Sequence, residues 1–513
     1  MKKITLLLLF TITGFAQTIT RFYPIPVNSP SYTMGSSAPI VQTPDGGYLL
    51  NYSYSYPNWD GPVGYTSSII KTDSNFLPLW NKRTGAGMGN GKKTIVLNDG
   101  TYLIYFDSGV LLKLDANGQT VFSLGNFTTD YYERLYIADV EVIGNTIKVV
   151  GTKDLYNGFG YVVTSTQVMI DFDTNGNILQ TYVLNGAGPN QWNRPTNICK
   201  DNSGNYYITG YSYADGNYVC KFNSSNTLLW SKRFLYGSNG ILISDMISLN
   251  IGDLLLVGSV GVGLLLRFDS ATGNIISGKT GGTHNWGITS ISQLSNGNLI
   301  ATGWLTEDQN SFARTFSMKM DSNEVFSWLK LYNFGFGISA PFVKSDNDWY
   351  YTAFHLNYAY DNYPILFNTE NSGATSCPTT NITMPFNNFL LNTTSIPMTV
   401  TPNSSLWGSP STVNNYYPTE IQTYQDACFS LAVNEVDDAT HLAVYPNPSK
   451  GDVHIVSDTE IKSVEIWNAL GQKVKEYGSS GLETTLSIEN NGIYFVKVET
   501  EKGIKTSKII ISN

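Results

Sequence analysis

ISQLSNGNLIATGWLTEDQNSFARTFSMKMDSNEVFSWLKL, residues 291–331, decides the fold. An apolar run leads into Ser295-Asn296-Gly297, a turn, and then into a β-branched run that closes at Gly303. A variable loop follows. A third run ends in Lys319-Met320-Asp321, and a second turn leads to a fourth run that carries Trp328 and Lys330. Turn residues flanked by alternating apolar residues are the signature of a hairpin. Two hairpins in succession make a four-stranded antiparallel unit, which cannot bury both of its faces alone and has to stack on its neighbours.

The same frame recurs. VLNDGTYLIYFDSGVLLKLDANGQTVFS and ICKDNSGNYYITGYSYADGNYVCKFNSSNTLLWSKRF carry it clearly, and four more segments fit it. The turn centres fall near Gly46, Gly100, Asn145, Gly204, Gly252, Gly297 and Asn347. Seven copies at a period of roughly 45–60 residues predict an all-β fold, a seven-bladed β-propeller. The seventh copy has no evident fourth strand. TITRFYPI near the N-terminus reads like WSKRFLYG, so Ile19 to Tyr23 is expected to supply that strand and close the ring. An open ring would leave an unpaired edge. The repeats resemble a family of secreted bacterial propellers whose pattern runs Trp-x-Lys, a Gly-Gly connection, Asp-Gly-Gly-Tyr and a strand ending in Gly; Lys279–Trp304 and TPDGGYLLNYSYS carry the likeness. It covers about residues 18–375 and implies fold rather than function, because propellers host unrelated activities.

Composition agrees with an all-β protein. The chain has 513 residues, of which 14% are charged, with 33 Tyr and 47 Gly. Few charges and many aromatic and turn residues disfavour disorder and favour strands. A net charge of −9 disfavours nucleic acid and anionic membranes as partners, since both attract basic patches. Lys2-Lys3, the apolar run Ile4–Phe10 and the small residues at 14–16 read as a signal peptide over residues 1–16, with a mature start at Gln17. No later stretch is long and apolar enough for a transmembrane segment. Export permits disulfides. Cys377 and Cys428 bracket an irregular Asn/Thr/Pro-rich extension over 377–430 and are expected to staple it. Cys199 and Cys220 could be bonded or could be buried thiols, and no Cys/His spacing suggests zinc.

After a linker at 431–441 the composition shifts. Short alternating runs over 442–513 predict a small C-terminal β-sandwich. VYPNPSKG, NALGQKV, GIYFVKV and the terminal KIII closely resemble the type A C-terminal sorting domain of the Bacteroidetes type IX secretion system. The residues that carry the resemblance are Tyr445, Pro446, Asn447, Pro448, Gly451, Gly471, Gln472, Gly492, Tyr494, Val496 and Lys508. It implies recognition by the secretion machinery's shuttle protein, removal by a sortase-like peptidase, and a product that is secreted, either extracellular or attached to the outer-membrane surface.

Chemistry is less legible. DFDTNGNIL, residues 171–179, opens like a calcium loop, but Tyr182 stands where a bidentate Glu is needed, and the stretch coincides with a turn found in every repeat. No metal site is expected. The vicinal cysteines of quinone-dependent propellers are absent, and no cofactor is expected. No nucleophile, metalloprotease or phosphate-loop motif occurs, and no catalytic residue is assigned. His284 and His355 read as loop histidines. Aromatics gather instead in the loops predicted for one face: Tyr54, Tyr56, Trp59, Tyr156, Trp192, Tyr213, Trp286, Trp304, Tyr358 and Tyr360. Rings beside Asp and Asn suit a glycan or protein ligand; equally, they could pack loops against one another. A polysaccharide-degrading enzyme would need two poised carboxylates, for which Asp60, Asp154, Asp215, Glu307, Asp308 and Asp361 are the candidates. A structural or adhesive surface protein is the third reading.

Overall fold

The computed structural model describes residues 20–22, 33–37, 40–56, 64–84, 89–125, 132–186, 194–212, 216–235, 241–281, 285–306, 314–332, 342–345, 348–355, 363–370, 372, 379–381, 386–389, 391–403, 411–412, 416–418, 425–426, 442–468, 472–478, 481–501 and 503–512. The chain forms two compact units, Met1–Phe429 and Ser430–Asn513. The described residues are all β, without a helix.

Among the described residues, seven antiparallel sheets make up the first unit. Blade 3 shows the plan, with strands Glu133–Ile143, Thr146–Tyr156, Val162–Phe172 and Ile178–Asn185 paired in order. The middle strands are sandwiched between neighbouring blades and so read as continuous apolar runs rather than alternations. In blade 2, Tyr102–Phe106 and Val110–Leu114 are buried at every position. The core is accordingly a series of layers between blades. Leu49 and Ile69 of blade 1 meet Ile104 and Leu112 of blade 2, and Val257 and Leu265 of blade 5 meet Ile291 and Met318 of blade 6. Blade 7 takes its fourth strand from the N-terminal region: Thr20–Phe22 pairs antiparallel with Tyr363–Glu370.

The repeated polar motifs staple one blade to the next. The fourth-strand tryptophans donate from Nε1 to a turn carbonyl of the following blade, Trp80 to Ala116 at 3.2 Å and Trp230 to Ser270 at 3.0 Å. The lysine two residues after Trp80, Lys82, reaches Gly118 O in the same turn at 2.8 Å. Gly273 shows why these turns favour glycine: φ is +70° and an added Cβ would lie 2.6 Å from the Trp230 ring. Third-strand Lys113 joins Asp99 of its own blade (2.9 Å) to the Thr174 carbonyl of the next (2.8 Å). In blade 3 the pair is reversed, with Lys148 on the second strand and Asp171 on the third at 2.8 Å, capped by Asn226 of blade 4. The Asp171 carboxylate of the calcium-like stretch is therefore committed to Lys148, and Asp173 holds an Asx turn through the amides of Asn175 and Asn177.

The extension that reads as irregular is a belt. It runs back around the ring and adds a fifth, antiparallel strand to every blade. Thr379–Asn381 pairs with blade 6, Phe386–Asn388 with blade 5, Thr393–Ser395 with blade 4 and Thr399–Pro402 with blade 3. Ser411–Thr412 follows on blade 2, Tyr416–Pro418 on blade 1 and Gln425–Asp426 on Thr20–Phe22 of blade 7. Unpaired edges invite aggregation, and the belt covers one on each blade. It also plugs the gaps between blades: Phe386 packs into the layer between blades 5 and 6, Phe389 and Leu391 between 4 and 5, and Ile396 and Met398 between 3 and 4. Cys377 and Cys428 lie outside the described residues. Cys199 and Cys220 are buried free thiols.

The second unit is a two-sheet sandwich of three and four strands. Val453, Ile455, Val464, Ile466, Val496 and Ile509 form its own core.

Candidate functional site

The first strand of each blade lies at the inner edge of its sheet, and in blades 2 to 6 it carries a bulge at the same place. The register slips between Gly91 and Lys93, Ile137 and Asp139, Pro195 and Asn197, Ile243 and Asp245, and Ile288 and Ser290. Bulges re-aim side chains and recur beside functional sites. Here they turn Lys93, Asp139, Asn197, Asp245 and Ser290 toward a cavity of about 690 Å³ lined by the inner strands of these five blades, which is the central channel. The glycine that closes the second strand of most repeats has its cause here. The bulge presses a first-strand carbonyl against it, so a Cβ on Gly151 would lie 2.1 Å from Tyr136 O and one on Gly258 1.8 Å from Leu242 O. That glycine was the sequence signal that could have located the channel residues, which the aromatic-loop reading missed.

A hydrogen-bonded seam runs between blades around this ring. Lys93 Nζ meets Asp139 Oδ1 at 3.1 Å, and Tyr105 donates to Ala138 O at 2.8 Å. Asp139 Oδ2 accepts the Ile198 amide at 3.0 Å. Asn197 Nδ2 donates to Ser244 O at 3.1 Å. Asp245 Oδ2 accepts from Ser290 Oγ at 2.5 Å and from the Ile291 amide at 3.1 Å. Burial raises the carboxyls of Asp139 and Asp245 above the usual range, against the pull of Lys93 on the first and of Ser290 on the second. Burial also pushes the Cys199 thiol well up, so this channel-lining cysteine is no ready nucleophile. Among the described residues no group of three or more His, Cys, Asp or Glu is placed to hold a metal.

Of the expected aromatic face, blade 3 is the part described in full. Its middle strands, eleven residues each, end in a tip where Asn157 Oδ1 accepts the amides of Phe159 and Tyr161. Phe159 is 88% and Tyr161 72% exposed. Tyr156 is half-buried, its hydroxyl 2.8 Å from that of Tyr136 and its ring beneath Arg134. Asp154 is fully buried and accepts from Ser165 at 2.5 Å and Arg194 at 3.2 Å. Trp304 is half-buried and stands across from Gly287. Trp286 corrects the surface reading. It belongs to the first strand of blade 6, Asn285–Gln293, and is wholly buried. Its indole donates to Gly281 O at 2.6 Å and its ring packs edge-on against Phe316 and the belt's Phe386. His355 ends a strand of blade 7 rather than lying in a loop. Tyr54 and Tyr56 fall on the second strand of blade 1. Trp59, Trp192, Tyr213, Tyr358, Tyr360, His284, Asp60, Asp215, Glu307, Asp308 and Asp361 lie outside the described residues.

In the second unit the two ends of the domain meet. Asn447 donates from Nδ2 to Lys508 O at 2.8 Å and accepts the Ile510 amide at 2.9 Å. The Ser449 amide donates to Ile510 O, and the Ser512 amide to Ser449 O. The Tyr445-Pro446-Asn447-Pro448 turn, with both X-Pro bonds cis, thus clamps the last strand, Gly503–Ile511. Gly451, at φ +129°, donates to Ser449 Oγ. Tyr494 and Val496 are buried in the core. Gln472 closes a hairpin by donating its amide to Asn468 Oδ1 at 3.0 Å; Gly471 lies outside the described residues.

Seven four-stranded blades around a channel, followed by this sandwich, define a seven-bladed β-propeller with a C-terminal β-rich appendage. Residues 443–512 match the family described as the secretion system C-terminal sorting domain. The chain therefore carries a type IX secretion sorting domain, and the protein is secreted, extracellular or at the cell surface. No helix among the described residues is long and apolar enough to cross a membrane. None of the curated proteins matches the sequence. Among solved structures, the chain is similar to a protein of unknown function from Bacteroides caccae (12% identity, TM-score 0.36, covering 57% of this chain and 93% of that one). It is also similar to the extracellular domain of a putative hybrid two-component system from B. thetaiotaomicron (12%, 0.39, 96% and 58%). A third similarity is to a putative oxidoreductase (glucose dehydrogenase) from Thermus thermophilus (11%, 0.35, 55% and 98%).

Proposed function

We propose that the exported propeller is a binding protein that takes a glycan or protein ligand on the face bearing its aromatic loops. The observation that supports this reading is the blade 3 hairpin, which holds Phe159 and Tyr161 largely in water on two of the longest strands of the ring. An exposed ring on a pinned turn can stack on an apolar ligand surface at little cost in chain entropy. Arg194, paired with buried Asp154, stiffens the base of the hairpin. Tyr156 and Trp304 are further members of this face, and Tyr54, Tyr56, Trp59, Trp192, Tyr213, Tyr358 and Tyr360 extend it. The sorting domain serves export alone: the shuttle protein recognises it and a sortase-like peptidase removes it near residues 431–441.

The test is a glycan and protein-partner screen on the purified full chain, followed by Phe159→Ser/Tyr161→Ser. The expected result is at least a tenfold weaker interaction at an unchanged thermal midpoint. Undiminished binding by this variant refutes the assigned face, and release of new sugar ends during the screen replaces binding with catalysis.

A further inference from the structure

The channel contains an internal comparison. Blades 2 and 3 set Lys93 beside Asp139, two equivalent bulge positions on successive blades. Blades 4 and 5 repeat the arrangement with Asn197 and Asp245. Asp139 and Asp245 do the same structural work, since each accepts a backbone amide of the following blade, Ile198 at 3.0 Å and Ile291 at 3.1 Å. They differ in charge compensation. Asp139 has the Lys93 ammonium at 3.1 Å. At the position equivalent to Lys93, Asn197 offers no charge, and its amide donates to Ser244 O instead. Among the described residues no cation lies within ion-pair distance of Asp245, whereas the channel's other acids, Asp139 and Glu141, pair with Lys93 and Lys200.

A partly buried carboxylate without an ion-pair partner is costly, and Asp245, on which Lys93 acts only from longer range, borders a cavity of about 690 Å³, a size typical of small-molecule sites. We propose that the channel binds a small organic ammonium whose head group sits against Asp245, in the place that the Lys93 ammonium takes against Asp139. Asp245 supplies the charge; Ser290, whose hydroxyl donates to it, and Ser244 line the same cavity. The remaining volume takes the organic part of the ligand, which distinguishes it from a bare alkali cation. This site is separate from the aromatic face, and either can fail without the other.

The experiment titrates the purified full chain with primary amines from methylamine to n-hexylamine, with tetramethylammonium, and with sodium and potassium chloride at matched ionic strength. Binding is read by calorimetry and by thermal shift. The expected result is saturable binding of at least one organic ammonium and none for the alkali salts. Asp245→Asn is expected to weaken it at least tenfold. Asn197→Lys, which restores the lysine of blade 2, is expected to abolish it while keeping or raising the thermal midpoint. No saturable binding by the wild-type chain, equal binding of sodium or potassium, or undiminished binding in Asn197→Lys overturns the proposal. The wild-type titration decides even if a variant fails to fold.

Discussion

The belt over 379–426 and the sorting domain over 443–512 are both made of short strands, yet they depend on different things. The belt's strands are two to four residues long and pair only with blades far away in sequence. Its described apolar side chains pack into three successive blade junctions, Phe386 in one, Phe389 and Leu391 in the next, Ile396 and Met398 in the third. The sorting domain pairs its strands with one another and buries its apolar residues in a core of its own. A segment that leans on a completed ring forms only once the ring exists, whereas a segment with its own core forms alone. This difference makes the belt a part of the propeller and the sorting domain a separable address.

The strongest way to break that contrast is by deletion. Removing 377–429 exposes the fourth-strand edges and the apolar gaps that the belt fills, and is expected to abolish cooperative unfolding of the propeller and to cause aggregation. Removing 430–513 is expected to leave its thermal midpoint within about 2 °C, the shift that a change of about 1–2 kcal/mol produces in a domain of this size. Calorimetry and size-exclusion chromatography decide both, and a belt-less propeller with the native midpoint would sink the contrast.

A finer probe is the contact between Trp286 and Phe386, whose ring centroids are 5.3 Å apart. Trp286→Ala is expected to cost about 3–5 kcal/mol in urea unfolding, Phe386→Ala less because it is half-buried. The pair should couple by at least about 0.5 kcal/mol in a double-mutant cycle; additivity would show that the belt does not grip the ring there. In the other unit, Asn447→Ala removes both hydrogen bonds to the last strand and is expected to cost about 1–2 kcal/mol. Only the sorting domain's transition should move; a shift in the propeller's would contradict their independence.

The smallest effect is acid sensitivity. Against the opposing effect of burial, hydrogen bonds from Lys71, Thr43 and the Gly47 amide bring the Asp45 carboxyl down to about 2. Thr101 and Lys113 do the same for Asp99, again to about 2. A carboxyl whose folded value lies below its unfolded one stabilises the fold above the unfolded value, and that contribution is lost as pH falls toward the folded value. Both side chains are about half exposed, at 58% and 47%, so each contributes about 1 kcal/mol or less. Asp45→Asn/Asp99→Asn should flatten the loss of propeller stability between about pH 4 and pH 2. An unchanged slope in urea unfolding would remove these staples from the acid response.

Individual residues show how far the sequence was legible. The Asn-Gly and Asp-Gly turns, the apolar middle strands and the Trp-x-Lys runs act within one blade or between neighbours, so a local pattern records them. The belt left no such record. Phe386, Phe389, Leu391, Ile396 and Met398 keep no single strand or helix period, because the chain steps from one blade junction to the next between Phe386, the pair Phe389 and Leu391, and the pair Ile396 and Met398. Trp286 misled for a related reason. Among Gly, Thr and Asn it looks like a loop residue, and the groups that bury it, Phe316 and Phe386, follow it by many residues.

By itself the sequence determined the four-stranded unit, its sevenfold repetition and the address at the C-terminus, because each is written as a local pattern of turns and alternating runs. The tertiary structure alone decided the rest. Stacking the blades presses first-strand carbonyls onto the glycines, turns Lys93, Asp139, Asn197 and Asp245 toward one channel, and leaves Asp245 without the lysine that its counterpart has. Charge compensation between blades is a property of which residues become neighbours after the ring closes, and no window along the chain contains it.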